Sequence, residues 1–124
     1  MDKKLHDITT EEHVEFLIKT FYGRLLQDEF MAPHFKEVNF EEHFPRMTAF
    51  WNFILLDKAG YTGNVFEKHV HLQINEAHFD RWIMHFTQTL HDFFEGEKAT
   101  LAKQRAELLK ITFLSKMKQF PNKS

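Results

Sequence analysis

Histidines are the residues of this sequence with the widest chemical repertoire, and two of them share one short segment. His69 and His71 lie within residues 63–72, between two long helical patterns. Imidazole is a common metal ligand because its neutral form, present near neutral pH, carries a free nitrogen lone pair. At helical spacing two such side chains point to different faces and do not chelate one ion together. Either histidine alone is therefore a candidate ligand.

The kinds of metal site that fit this composition are limited. The chain has no Cys, which excludes disulfides, thiolate metal sites and cysteine nucleophiles. A structural zinc site usually needs four close ligands, and a carboxylate-bridged di-iron bundle needs Glu-x-x-His pairs, which the acidic residues before His13, His43 and His78 do not supply. A haem iron needs one axial His and an apolar pocket. The 15 Phe among 124 residues favour such a pocket.

Length and charge bound the class of protein. A chain of 124 residues is predicted to form one domain, residues 1–124, with a core at about 10–118. The net charge of −2 with interspersed signs gives no basic footprint for nucleic acid. No apolar run approaches the ~20 residues of a membrane span, and the first seven residues lack a signal-peptide core. We therefore expect a cytoplasmic protein without membrane or nucleic-acid partners.

The apolar spacing predicts an all-α protein. A capping box at Thr9-Thr10-Glu11-Glu12 starts a first helix that fades by Asp28. Asn39 is a candidate cap for a second helix, but Pro45 predicts that regular helix begins only near Phe44. The apolar stripe of the first helix consists of Val14, Leu17, Ile18, Phe21 and Leu25, with Tyr22 at its edge.

The second half of the chain continues the helical pattern. A loop is predicted over Lys58–Asn64 and a short helix over residues 65–72. A third long helix starts at Asn75-Glu76 and ends at Gly96 as its C-cap. The fourth runs from Glu97 to about Met117. Four histidines fall on polar or mixed faces and are predicted to be solvated: His6, His13, His85 and His91.

Three hydrogen-bond donors lie on otherwise apolar helix faces: Tyr22, His43 and Trp82. Taken singly, each is as readily a core residue with one satisfied hydrogen bond. Three such faces together with one candidate iron-binding histidine favour a ligand pocket.

The order of motifs resembles a known family. The chain resembles the truncated (two-on-two) haemoglobins, most closely their third group, from about Thr10 to Phe113. Like that group, it has no Gly-Gly. The resemblance rests on Phe21-Tyr22, Pro33-x-Phe35, His43-x-Pro45-x-Met47-x-x-Phe50-Trp51, Tyr61-x-Gly63-Asn64-x-x-x-Lys68-His69-x-x-Leu72, His78-Phe79-x-Arg81-Trp82 and Ala102-Lys103-x-Arg105-Ala106.

The resemblance implies roles for individual residues. His69 corresponds to the proximal iron ligand, with His71 a bystander. Tyr22 and Trp82 correspond to distal donors that stabilise a bound ligand, and His43 to the distal gate. The other implied cofactor contacts are Phe35 wedged against the haem, Met47, Phe50 and Trp51 along the distal wall, Phe66, and Arg46 and His78 toward the propionates.

The resemblance also implies a fold and an activity. It implies a globin-like, truncated two-over-two helical sandwich. In it we expect the second and third long helices to cross as one pair, stacked on the pair formed by the first and last. It implies haem b with five-coordinate iron that binds O₂, NO, CO or cyanide. NO-detoxifying or peroxidase-like turnover would need a separate reductase, and we expect a monomer or weak dimer. The alternative is a small helical interaction or sensor module without haem.

Overall fold

The computed structural model describes residues 5–35, 40–58 and 76–119, with side chains through residue 115. These residues form four α-helices and one 3₁₀ turn, and their only extended pairing is an isolated bridge between His6 and Phe94. The all-α prediction is confirmed. The elements are α1 (Glu11–Gln27), the 3₁₀ turn (Ala32–Phe35), α2 (Phe40–Leu56), α3 (Glu76–Phe93) and α4 (Glu97–Gln119).

Helix α1 begins where its capping residues predict. The Thr10 side chain accepts a hydrogen bond from the backbone N–H of His13 at 3.1 Å. The reciprocal bond comes from His13 rather than from a glutamate, since its Nδ1 accepts from the N–H of Thr9 at 3.1 Å. His13 is therefore a half-buried residue that also caps the helix, a role that its predicted solvation did not include.

Helix α2 begins at Phe40, one turn earlier than predicted, and runs through Pro45. Proline lacks the N–H that would bond to the carbonyl of Glu41, which normally disfavours a helix interior. Here the first turn is held by packing, because the rings of Phe40 and Phe44 lie 5.7 and 6.4 Å from the Tyr22 ring. This packing keeps His43 on a regular helix.

The turn between α3 and α4 uses glycine differently from the prediction. Helix α3 already ends at Phe93, and the carbonyl of Gly96 accepts from the N–H of Thr100 at 3.0 Å. Gly96 therefore caps the start of α4, and its predicted role as the C-cap of α3 was wrong. Its φ of +140° suits glycine, and an added Cβ would lie 2.5 Å from the Asp7 carboxyl carbon.

The four helices form two layers. Helices α1 and α2 pack together, as do α3 and α4, and the layers meet where α1 packs on α3 and α2 on α4. The predicted pairing of the second helix with the third was wrong. The short turn between α3 and α4 makes them neighbours instead. The predicted stripe of α1 is confirmed, since Val14, Leu17, Ile18, Phe21 and Leu25 are fully buried.

Candidate functional site

The centre of the candidate site is the hydroxyl group of Tyr22. Tyr22 is only 4% exposed, and its hydroxyl oxygen lies 3.4 Å from Nε2 of His43. The hydroxyl donates a hydrogen bond to the thioether sulfur of Met47. His43 and Met47 are four residues apart on α2, so they occupy one face of the helix. The packing of α1 on α2 thus brings three predicted site residues together.

Burial controls the charge of Tyr22. Removing the phenol from water disfavours its anion and raises the pKa of Tyr22 well above its ordinary value. The hydroxyl therefore keeps its proton throughout the physiological pH range. It is a fixed donor in a largely aromatic environment, where rings meet the Tyr22 ring edge-on or tilted: Phe21, Phe35, Phe40, His43 and Phe44.

Trp82 reaches the same part of the core from the opposite layer. Its half-buried ring lies parallel to that of Phe86, four residues along α3, at 5.8 Å between centroids. It also meets the edge of Phe21 at 5.7 Å, and Phe21 contacts Tyr22 at 5.1 Å. Phe21 therefore contacts both predicted donors, Tyr22 on α1 and Trp82 on α3.

The predicted cofactor contacts on α2 and the 3₁₀ turn differ in how far their side chains are exposed. Phe35 and Phe50 are half-buried, Phe35 against Tyr22 and Phe50 against Trp51 at 5.4 Å. Arg46 is exposed, one turn after His43. Apolar rings that the described residues cover only partly suit contact with a flat apolar group.

His78 lies in a packed aromatic cluster. It is 8% exposed, stacked on Phe30 at 4.4 Å and edge-on to His34 at 4.2 Å. Burial, with the neighbouring His34, lowers the pKa of His78 below its ordinary value. The neutral imidazole is favoured there. Such a ring interacts with a carboxylate through a hydrogen bond rather than through a full charge.

His69 and Phe66 lie outside the described residues, as do the predicted loop glycines and the short helix over residues 65–72. Within the described ranges, no cluster of three or more His, Cys, Asp or Glu side chains is arranged to hold a metal ion. No described helix is both long and apolar enough to cross a bilayer.

A polar anchor that sequence reasoning missed joins the end of α1 to α3. The Asp28 carboxylate accepts from Arg81 Nε at 2.6 Å, lies 2.8 Å from His85 Nε2 and accepts from the Phe30 N–H at 2.9 Å. The hydrogen bond from Arg81, aided by those from His85 and Phe30, outweighs burial and holds the pKa of Asp28 well below its usual range. His85 is thus paired, and the prediction that it is solvated was wrong.

A second arginine adds polar contacts between α1 and α3. Arg24 Nη1 donates to the Thr89 hydroxyl at 3.3 Å, and its Nη2 lies 2.8 Å from the Asp92 carboxylate. The spacing of four residues between Arg81 and His85 was the available sequence signal for the anchor. It could not be interpreted without knowing that α1 packs on α3.

These features define the class of protein. The chain belongs to the bacterial-like globin family, whose sequence profile matches residues 5–117. The family implies a haem cofactor and small diatomic ligands at its iron.

Within this family, the chain is similar in sequence and in structure to group III truncated globins. The chain is 24% identical over 110 residues to the group 3 truncated hemoglobin ctb of Campylobacter jejuni, which covers 83% of this chain and 87% of that protein. The crystal structure of group III truncated hemoglobin from Campylobacter jejuni matches with a TM-score of 0.84 at 21% identity, over 97% of this chain and 100% of that one. The predicted truncated globin fold and the resemblance to the third group are confirmed.

Proposed function

We propose that this protein binds haem b and takes up small diatomic ligands, with Tyr22 as the principal distal donor. The observation that carries the proposal is the buried Tyr22 hydroxyl beside His43 Nε2, in a chain of the bacterial-like globin family. Haem, when bound, supplies an iron atom with an open position for O₂, NO, CO or cyanide.

The donor set fits such a group. A protonated phenol, an imidazole and an indole are neutral or weakly basic donors, and aromatic rings surround them. That combination suits an apolar macrocycle with a ligand that needs hydrogen bonds on one side. Among the described residues no cluster competes as a metal site of another kind.

We assign roles in haem binding to residues on both sides of the macrocycle. His69 binds the iron as the proximal ligand. Arg46 and His78 interact with the propionates, Arg46 from an exposed position and His78 from a buried one beside Phe30 and His34. The apolar contacts come from Phe35, Met47, Phe50, Phe66 and Trp82.

Tyr22 and Trp82 act by stabilising negative charge that develops on a bound ligand. A hydrogen bond to a charged acceptor contributes roughly 1.5–3 kcal/mol. Tyr22 delivers this bond without ionising, because burial keeps its hydroxyl protonated. His43, next to the Tyr22 hydroxyl, is placed to hold or pass on a proton.

A proton-handling His43 favours redox chemistry as a second activity. NO dioxygenation or peroxidase-like turnover consumes electrons or protons, and a separate reductase would supply the electrons. NO consumption by the oxygenated protein, measured with and without an added reductase, distinguishes turnover from simple carriage. We further propose that the protein is cytoplasmic, since the absence of Cys from the sequence fits a reducing compartment. We expect it to be a monomer or weak dimer.

The test of the proposal is the haem content of two histidine variants. His69→Ala should lose haem and the Soret band, because the iron loses its protein ligand. His71→Ala is the matched control two residues away and should retain both. Wild-type haem content and spectrum in His69→Ala would contradict the assignment.

A further inference from the structure

The direction of the Tyr22 O–H bond is set by Met47. A buried hydroxyl needs a partner for its single hydrogen, and the hydrogen of Tyr22 goes to the Met47 sulfur. The Tyr22 oxygen can also accept, and His43 Nε2, 3.4 Å away, donates to it when Nε2 carries the ring proton. The three side chains form a short relay from His43 through Tyr22 to Met47.

The weak end of this relay is the sulfur. A thioether is a poor hydrogen-bond acceptor compared with a carbonyl or carboxylate oxygen. The Tyr22 hydroxyl therefore gives up little when it turns to another acceptor. A ligand that carries partial negative charge is a stronger acceptor than sulfur, whereas a nearly neutral ligand competes poorly.

We propose that Met47 is a positioning residue that holds the Tyr22 hydrogen in reserve, so that Tyr22 donates to ligands that carry negative charge and stays on the sulfur beside neutral ones. The inference rests on the proposed function, and it assigns to the thioether a lowering of O₂ affinity, because Tyr22 must leave the sulfur to reach O₂ and stays on it beside CO. The half-buried Met47 is thereby more than a wall of the pocket.

The first test uses Met47→Leu, which nearly conserves volume and removes the acceptor. Without the sulfur, Tyr22 has no bond to the thioether to give up, so O₂ should dissociate about two- to threefold more slowly. CO dissociation should change less. Met84→Leu, at a 45%-exposed position on α3, is the matched control and should leave both rates unchanged.

A double-mutant cycle separates this effect from packing. In a Tyr22→Phe background, Met47→Leu should leave O₂ dissociation unchanged, because the donor is gone. An equal effect of Met47→Leu with and without the Tyr22 hydroxyl would overturn the proposal and assign Met47 to packing alone.

A readout independent of ligand binding completes the test. The chain has two tyrosines, so Tyr61→Phe leaves Tyr22 as the only one. The ultraviolet Raman doublet of Tyr22, which reports its hydrogen bonding, should change on adding Met47→Leu and not on adding Met84→Leu. An unchanged doublet would overturn the inference. Because the doublet can be recorded with or without hemin, failure of the haem proposal is distinguishable from failure of this one.

Discussion

Helix α1 is held by weak, neutral contacts on one side and by charged contacts on the other. Toward α2, Tyr22 meets a thioether and an imidazole. Toward α3, Asp28 meets Arg81 and His85 at hydrogen-bond distance. Charged hydrogen bonds are the stronger kind. The charged contacts therefore stabilise the packing of α1 on α3, and we propose that the neutral contacts exchange partners when a ligand binds.

The largest expected effect on O₂ release comes from removing the hydrogen-bond donors Tyr22 and Trp82. Tyr22→Phe should speed O₂ release by about 10-fold or more, because a charge-stabilising hydrogen bond is lost. Trp82→Phe should act in the same direction. Stopped-flow measurement of O₂ dissociation gives both rates. Unchanged rates in both variants would remove these residues from the account.

A smaller effect on ligand release, with a clear effect on stability, is expected on the charged side. Asp28→Asn weakens the bonds to Arg81 and His85 and should lower the melting temperature by a few degrees, with little change in O₂ release. Thermal denaturation followed by circular dichroism measures the first quantity. A change in O₂ release as large as that of Tyr22→Phe would erase the contrast between the two sides.

The charged side also predicts a pH dependence. The folded-state pKa of Asp28 is depressed, so its stabilisation is complete above the unfolded-state pKa of about 3.9 and is lost as pH falls through the lower folded value. Below about pH 4 the wild type should therefore lose stability more steeply than Asp28→Asn. Parallel slopes for the two proteins in acid would contradict the assignment.

The smallest effect on the ligand is expected far from both sides. The Asp7 carboxylate accepts from the backbone N–H groups of Lys98 and Ala99 at 3.0 and 2.9 Å, which caps α4. Asp7→Ala should cost about 1 kcal/mol of stability, the usual value for a lost cap. O₂ release should be unchanged. Denaturant unfolding at neutral pH checks the first value, and an altered O₂ rate would show that the cap reaches the site.

The sequence predicted local structure best where one physical signal dominated. The stripe of α1 and the cap at Thr10 depended on spacing and capping, and both are observed. The start of α2 failed because Pro45 argued for a break while packing of Phe40 on Tyr22 kept the helix. Gly96 was correctly expected at a turn, but it lies at the start of α4, where Asp7, distant in sequence, accepts from the N–H groups of Lys98 and Ala99.

Contacts between helices were beyond local patterns. Tyr22 and His43 were singled out as donors on apolar faces, yet the hydrogen bond to Met47 needed the register of α1 on α2. The pair of Asp28 with His85 needed the crossing of α1 on α3. The choice of His69 over His71 came from the family resemblance and stays a prediction, because both residues lie outside the described ranges.

A hemin titration of the wild-type protein tests the central claim most directly. We expect a saturable Soret band at one equivalent and a higher melting temperature, because a ligand bound only by the native state stabilises it. A protein that gives no saturable Soret band, with an unchanged melting temperature, would contradict the haem-binding function and favour a helical interaction module.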